Sequence, residues 1–182
     1  MAITSSRLSK TLNSVKALTE LDALPDEAVV FIDSNIFTYF LLGGSKHFEA
    51  CKVFLKRVEK GKIAGIINDI VITETWFNYV KYRIVTDNKI SVKEFVQFVK
   101  KNPGAISKVD VSEIGDIFSM PNIHMIAPPQ TFVLASIGGS ERPPLLSNDA
   151  YHLIAMRYAG VENIATNDPD FDLIKGIAVW RP

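Results

Sequence analysis

The feature that most constrains the fold is a continuous apolar, β-branched run, AVVFI at residues 28–32. An apolar run of this length predicts a strand that is covered on both faces, as strands of parallel sheets are. The next residue is Asp33, and the segment DSNIFTYFLL that begins there predicts a helix. A buried strand followed at once by a helix is typical of parallel α/β architectures.

The same alternation continues along the chain. Four further segments predict strands: KIAGIIN, IHMIA, NIAT and GIAVW. Five predict helices: SKHFEACKVFLKRVEKG, DIVITETWFNYVKYRIV, SVKEFVQFVKK, QTFVLASIGG and SNDAYHLIAMRYAG. The stretch NPGAISKVDVSEIGDIFSMPN is ambiguous. Strands that alternate with helices predict a mainly parallel sheet with helices on both faces.

An amphipathic segment precedes the first predicted strand. Apolar residues recur there at helical spacing, which predicts a helix from about Arg7 to Glu20. These residues are Leu8, Leu12, Val15, Leu18 and Leu21. The segment DALPDE ends the pattern. We therefore divide the chain into an N-terminal helical extension, residues 1–27, and a domain over residues 28–182. The sequence leaves open whether the extension packs on the domain, on a second copy or on a partner.

Composition excludes several classes of protein. Lys plus Arg and Asp plus Glu number 20 each, so no overall positive charge attracts nucleic acid. The single Cys51 excludes an intramolecular disulfide and favours a reducing, cytoplasmic setting. No apolar run approaches the roughly 20 residues of a membrane span, and the first residues lack the apolar segment of a secretory signal. We expect a cytoplasmic protein without membrane contact.

Two acidic residues follow predicted strands. Asp33 comes directly after VVFI, and Asp168 lies two positions after the last residue of NIAT. The carboxyl ends of parallel strands lie at the same edge of a sheet, where α/β proteins bind their ligands. We therefore expect the Asp33 and Asp168 carboxylates to meet if the two strands are neighbours.

Two more acids lie on predicted helices. The stripe Ile70, Thr73, Phe77, Val80 and Ile84 places Glu74 on an inward face, where a carboxylate is unfavourable unless it is paired or binds a cation. Asp149 follows the predicted N-cap Ser147 by two residues, in the first turn of its helix. Each acid also has a structural explanation. Asp33 and Asp168 are good helix caps, Asp149 complements a helix dipole, and Glu74 has many Lys and Arg residues to pair with.

Taken together, the four acids favour a cation. Two carboxylates about 4 Å apart repel by roughly 4 kcal/mol at an effective dielectric of 20. Ligation by oxygen alone suits Mg²⁺ or Mn²⁺. Zinc is disfavoured, because the three histidines show neither the spacing nor the setting of a ligand set. We interpret His47, His124 and His152 as ordinary surface or core residues.

Four segments in this order, FIDSNIF, ITETWF, LLSNDAYHLIAM and IATNDPDFD, resemble the PIN-domain family from about Val29 to Pro182. The resemblance implies a three-layer α/β/α sandwich and a metal-dependent ribonuclease, commonly the toxin half of a bacterial or archaeal toxin-antitoxin pair. It assigns catalysis and metal binding to four acids: Asp33, Glu74, Asp149 and Asp168. It places three residues around them: Asn35, Thr166 and Asp170. Asp172 matches no role in the family, and we expect it to serve a local turn.

The sequence therefore predicts an endoribonuclease that uses Mg²⁺ or Mn²⁺ to hydrolyse RNA. The expected partners are RNA and an antitoxin protein, and a homodimer is expected. Lys46, Lys52 and Arg142 offer local positive charge. One alternative is a catalytically idle PIN module that acts as a scaffold or binds RNA. Another is aspartyl-phosphate chemistry, as in haloacid-dehalogenase-like phosphatases or receiver domains. The residue two positions after Asp33 disfavours the phosphatases, because it is Asn35 and not a second Asp.

Overall fold

The computed structural model describes residues 19–139 and 143–182. Within these residues the strands form one six-stranded sheet in the order β1-β6-β5-β2-β3-β4, and all adjacent strands are parallel. The strands are β1 Thr19–Glu20, β2 Val29–Ile32, β3 Ala64–Ile67, β4 Ile123–Met125, β5 Asn163–Ala165 and β6 Ala178–Arg181. The predicted α/β class with a mainly parallel sheet is confirmed.

Helices connect these strands. They are α1 Ser34–Leu42, α2 Phe48–Glu59, α3 Asp69–Asp87, α4 Phe95–Lys101, α5 Gly104–Ser107, α6 Ser112–Phe118, α7 Gln130–Gly138 and α8 Ser147–Ala159. The ambiguous middle of the sequence forms the short helices α5 and α6. Two 3-10 turns, Leu21–Ala23 and Pro169–Leu173, complete the described elements. None of the helices in the described segments is long and apolar enough to cross a bilayer.

The helices divide into two groups by their contacts. Helix α1 packs against α2, α3 and α6, and α3 packs against α4 and α5, while α7 packs against α8. The chain moves outward from β2 to β3 and β4, and then returns across the sheet to β5. Because parallel crossovers are right-handed, connections that run in opposite directions lie on opposite faces of the sheet. The result is the expected three-layer α/β/α sandwich.

Strand β2 lies at the centre of this arrangement. Its residues Val30, Phe31 and Ile32 are fully buried, as the continuous apolar run predicts. It pairs with β5, where Ile32 is opposite Ala165, and on its other side with β3. The strand order reverses between β2 and β5. A crevice at the carboxyl ends of β2 and β5 is therefore the expected place for a site.

The N-terminal segment differs from the prediction where it can be compared. Of the helix predicted from about Arg7 to Glu20, the part up to residue 18 lies outside the described residues. Thr19–Glu20 form β1 beside Trp180 and Arg181, so the helical end of that prediction is wrong. Leu21 and Leu24 are each 1% exposed and belong to the main core. The division of the chain at residues 27 and 28 stays a prediction.

Candidate metal centre

Asp33 is the buried centre of the site. It follows β2 directly, its backbone N–H donates to Ala165 O at 3.0 Å, and the residue is only 5% exposed. Its carboxylate accepts hydrogen bonds from Ser34 N at 2.6 Å, from Thr166 Oγ1 at 2.6 Å and from Asn35 Nδ2. Both carboxylate oxygens are thus held by donors from two neighbouring strand ends.

Thr166 joins the two strand ends. Besides donating to Asp33, its hydroxyl oxygen accepts from Asn35 Nδ2 at 3.0 Å and from the Asp168 backbone N–H at 2.9 Å. Asn167 N in turn donates to Asn35 Oδ1 at 3.1 Å. The structure therefore brings Asn35, Thr166 and Asp168 together with Asp33, as the pairing of β2 with β5 requires.

The Asp168 side chain also caps the 3-10 turn that follows it. Its Oδ1 accepts from Asp170 N at 2.8 Å, while the Asp170 residue itself is exposed. Asp172 forms an ion pair with Arg181 at 2.6 Å. Asp168 faces the cleft described below, whereas Asp170 and Asp172 are not among the residues that line it.

Glu74 reaches the site from α3. The buried face of this helix is Val71, Thr75, Tyr79, Val80 and Ile84. The predicted stripe was wrong in part, because Thr73 and Phe77 are exposed. Glu74 lies at the edge of the buried face with a side chain that is 28% exposed. It accepts hydrogen bonds from Ser34 Oγ at 2.9 Å and Asn148 Nδ2 at 2.6 Å, so it faces the cleft and not the core.

All four predicted acids surround one cleft of about 620 Å³. Its lining residues are Asp33, Ser34, Asn35, Thr73, Glu74, Phe77, Asn78, Asn148, Asp149 and Asp168. Among the residues placed by the structure, no Lys or Arg forms an ion pair with any of the four carboxylates. The cleft therefore holds negative charge that no cationic side chain there balances.

The pKa values of the acids in this cleft are shifted unequally. Burial raises the pKa of Asp33, and the bond from Thr166 partly opposes that rise. Burial, with a further contribution from the charge of Asp168, raises the pKa of Asp149 to about 6. The neighbouring His152 holds the pKa of Glu74 below its ordinary value. The four acids offer only oxygen atoms as ligands, and two of them have raised pKa values. Both features fit a hard divalent cation, which would stabilise the charged forms of the carboxyl groups.

His152 belongs to this site, and the sequence interpretation missed it. The residue is fully buried, which agrees with a core histidine, but its ring also lies against the acids. Asp33, Glu74 and His152 each offer one ligand atom, and these atoms lie within 4.8 Å of one another. The available signal was the spacing of Asn148 and His152, four residues apart on α8, which puts both on one helix face.

The pKa of Asp149 gives a prediction for the metal-free protein. A carboxyl whose pKa rises from 3.8 to about 6 on folding ionises first in the unfolded protein, so the folded state loses stability as pH rises from about 4 to about 6, and the loss is complete above pH 6. We therefore expect Asp149→Asn to exceed the wild type in stability at pH above 6, with a difference that shrinks as pH falls towards 4. Urea unfolding over this pH range, without metal, measures that difference. If the free energy of unfolding differed between the two proteins by the same amount at every pH, the prediction would be contradicted.

The fold and the cleft together define an α/β/α domain with an acidic site at the carboxyl ends of its central strands. The sequence profile of the PIN domain matches residues 30–177. Ribonuclease VapC2 of Methanocaldococcus jannaschii is 30% identical over 146 residues, which cover 80% of this chain and 89% of that protein. The chain belongs to the PIN-domain family, as the four motifs indicate.

Two solved structures also match most of this chain. The Sarcin-Ricin loop cleaving toxin VapC20 of Mycobacterium tuberculosis matches with a TM-score of 0.48 and 16% identity, over 81% of this chain and 96% of that one. VapBC2 of Rickettsia felis, bound to a DNA fragment from its promoter, matches with a TM-score of 0.48 and 17% identity, over 84% and 98%.

Proposed function

We propose that this chain is a metal-dependent endoribonuclease that hydrolyses RNA phosphodiester bonds. The observation that carries the proposal is the cleft in which Asp33, Glu74, Asp149 and Asp168 face one another without a Lys or Arg partner in the described segments. The similarity to a protein named as a ribonuclease supports RNA as the substrate. Cleavage of a labelled RNA in the presence of Mn²⁺, compared with EDTA, tests the activity directly.

In this proposal the four carboxylates hold Mg²⁺ or Mn²⁺. Such an ion supplies Lewis acidity, by which it activates water and offsets the charge that develops on the scissile phosphate. Asn35 and Thr166 serve the site indirectly, because their hydrogen bonds fix the orientation of the Asp33 carboxylate. Asp170 contacts Asp168 through its backbone N–H, and its side chain does not line the cleft. Its proposed part is therefore confined to the turn that presents Asp168.

Ser34 has a part that the sequence did not indicate. Its hydroxyl lies 2.9 Å from Glu74 Oε2 and 3.2 Å from Asp33 Oδ1. A hydroxyl has one proton to donate, so it bonds to one of the two carboxylates at a time, and its place between them sets their separation before any ion binds. The residue is 7% exposed, and the shorter of the two contacts is the one with Glu74. It therefore serves as a spacer between ligands, and the proposed hydrolysis requires no protein nucleophile.

The rim of the cleft suits a nucleobase. Phe77 lines the cleft one turn after Glu74 and is 48% exposed. The Phe95 ring supports it edge-on at 6.0 Å, and Lys81 Nζ lies 5.3 Å from its centroid. An exposed aromatic ring beside a phosphate-binding centre provides a stacking surface for a base, and a nearby ammonium attracts the RNA backbone.

Phe77→Ala is accordingly expected to raise KM for single-stranded RNA by about 10-fold and to change kcat little, since base stacking contributes about 1–3 kcal/mol. Steady-state cleavage kinetics measure both constants. The matched control is Trp76→Ala, which removes an aromatic ring of similar exposure, 43%, from the neighbouring position outside the cleft lining. Equal effects of the two variants would contradict a specific role for Phe77.

We further propose that the chain is the toxin of a toxin-antitoxin pair, with an antitoxin protein as partner, and that it works as a cytoplasmic homodimer. Membership of a family in which such toxins are common supports this part of the proposal. Expression of the wild type is expected to arrest growth, and co-expression of the antitoxin is expected to restore it. Normal growth on expression of an enzyme that cleaves RNA in vitro would separate the activity from the toxin role.

A further inference from the structure

The His152 ring ends in a buried nitrogen without a hydrogen-bond partner. The residue is 0% exposed, and no atom in the described part of the chain forms a hydrogen bond with Nε2. This nitrogen points towards the acidic cleft, where Glu74 Oε2 lies 3.6 Å away. Buried polar atoms are nearly always satisfied, so an unpartnered nitrogen at this place indicates a functional contact.

Two different roles fit that position, and the location of one proton separates them. A ring that carries its proton on Nδ1 exposes a lone pair on Nε2, which would bind a metal together with Asp33 and Glu74. A ring that carries its proton on Nε2 has no lone pair there and presents a donor to the Glu74 carboxylate. The partner of Nδ1 on the far side of the ring sets the choice between them.

Asn68 is that partner, and its orientation is fixed. It is the N-cap of α3, where its Oδ1 accepts a hydrogen bond from Val71 N at 3.2 Å. The other end of the amide, Nδ2, therefore faces His152 Nδ1 at a distance of 3.0 Å. An amide NH₂ group only donates, so Nδ1 must accept. The proton of the neutral ring is consequently on Nε2.

We propose that His152 is a positioning residue for Glu74 and is not a metal ligand, although its place beside the acids satisfies the geometry of one. The proposal rests on the proposed function, because Glu74 is positioned there for metal binding. Helix α8 then places a donor beside each oxygen of the carboxylate. Asn148 Nδ2 donates to Oε1 at 2.6 Å, and His152 Nε2–H faces Oε2 one turn later.

The surroundings of the ring support a fixed orientation. Phe31 of β2 packs against it with ring centroids 5.2 Å apart, and Asn68 holds its far side. The present Nε2 to Oε2 distance of 3.6 Å exceeds a normal hydrogen bond. A movement of Glu74 by roughly 0.5 Å would close it to about 3.1 Å. Both the ring and its neighbours are buried, so we expect the more exposed carboxylate to be the group that moves.

The tautomer can be measured directly. The chain has three histidines, and ¹⁵N labelling of histidine with long-range ¹H–¹⁵N spectra distinguishes a protonated from a bare ring nitrogen. Loss of signals in a His152→Gln sample assigns the resonances of His152. We expect Nε2 to carry the proton and Nδ1 to be bare, both without metal and with saturating Mg²⁺. A bare Nε2 in the Mg²⁺ sample would make His152 a ligand, and a proton on Nδ1 without metal would overturn the argument from Asn68.

Two substitutions then test positioning. Gln places an NH₂ donor near the position of Nε2, whereas Asn is too short to reach it. By calorimetric titration with Mg²⁺, His152→Gln is expected to stay within about 3-fold of the wild-type Kd and His152→Asn to weaken it by about 10-fold, as loss of an outer contact does. Urea unfolding establishes that both variants fold. Equal Kd values for the two variants, whether normal or weakened, would overturn the proposal.

These measurements also separate the inference from the proposed function. If wild-type protein binds no Mg²⁺ and cleaves no RNA, the proposed function fails, while the metal-free spectrum still decides whether the proton is on Nε2. If the wild type binds Mg²⁺ and cleaves RNA but the tautomer differs from the expected one, only the role of His152 is wrong.

Discussion

Asp33→Asn is expected to lower the rate of Mn²⁺-dependent RNA cleavage by on the order of 10³-fold, because Asp33 would hold an ion that would supply several kcal/mol of charge stabilisation in the transition state. The substitution keeps the size of the side chain but removes the negative charge at the most buried position of the cleft. Single-turnover cleavage of an end-labelled RNA at saturating Mn²⁺ measures the change. Asp149→Asn is also expected to lower the rate of RNA cleavage.

The matched control for this prediction is Asp172→Asn. This aspartate undergoes the same chemical change in the same turn as Asp168, but it forms an ion pair with Arg181 and lies outside the cleft lining. We expect cleavage by this variant within about 3-fold of the wild type, since the Asp172 side chain is engaged by Arg181 and does not line the cleft. Undiminished cleavage by Asp33→Asn would assign the activity to another site or to a contaminating enzyme.

Mn²⁺ is expected to raise the Tm of the wild type by about 5–10 °C. A ligand at 100 times its Kd stabilises the folded protein by about 2.7 kcal/mol, and each kcal/mol shifts the Tm of a protein of this size by about 2–4 °C. The physical reason is the release of repulsion between carboxylates that have no cationic partner in the described segments. Differential scanning fluorimetry with a series of Mn²⁺ concentrations measures the shift.

Asp149→Asn provides the contrast for that measurement. We expect its Tm without metal to exceed that of the wild type above pH 6, because the substitution removes a carboxyl whose pKa is raised to about 6. The rise in Tm that Mn²⁺ causes should nevertheless be smaller for this variant than for the wild type. A wild type that shows no Mn²⁺ shift would favour the alternative of a catalytically idle PIN module that serves as a scaffold.

The fold was predictable because its strongest signal is local. The apolar run of β2, buried at Val30, Phe31 and Ile32, and the amphipathic pattern of α2 each depend on few neighbouring residues. The elements that the sequence did not predict clearly are the shortest ones. Helices α5 and α6 are short and lack side-chain caps, and β1 has two residues, so their periodicity is too brief to detect.

Half of the site followed from topology alone. Once β2 and β5 are neighbours, Asp33, Thr166 and Asp168 must meet, whatever their other contacts are. The remaining half depends on how the first turns of α3 and α8 are placed around the two strand ends, and the sequence contains no measure of that. The contacts of Asn148 and His152 with Glu74 join residues more than 70 positions apart on different helices. The helical stripe of α3 was misjudged for the same reason, because Thr73 and Phe77 face the cleft and not a core.

The short strand β1 has a consequence for work with shortened forms of the chain. It covers the backbone of Trp180 and Arg181 in β6, while Leu21 and Leu24 fill the core behind it and Arg57 bonds to the carbonyls of Leu21 and Asp22. A protein cut at residue 27 would leave β6 as an open sheet edge, and unprotected edges recruit strands from other molecules. Aggregation of such a fragment would then reflect the loss of the edge strand β1 and not a defect of the acidic cleft.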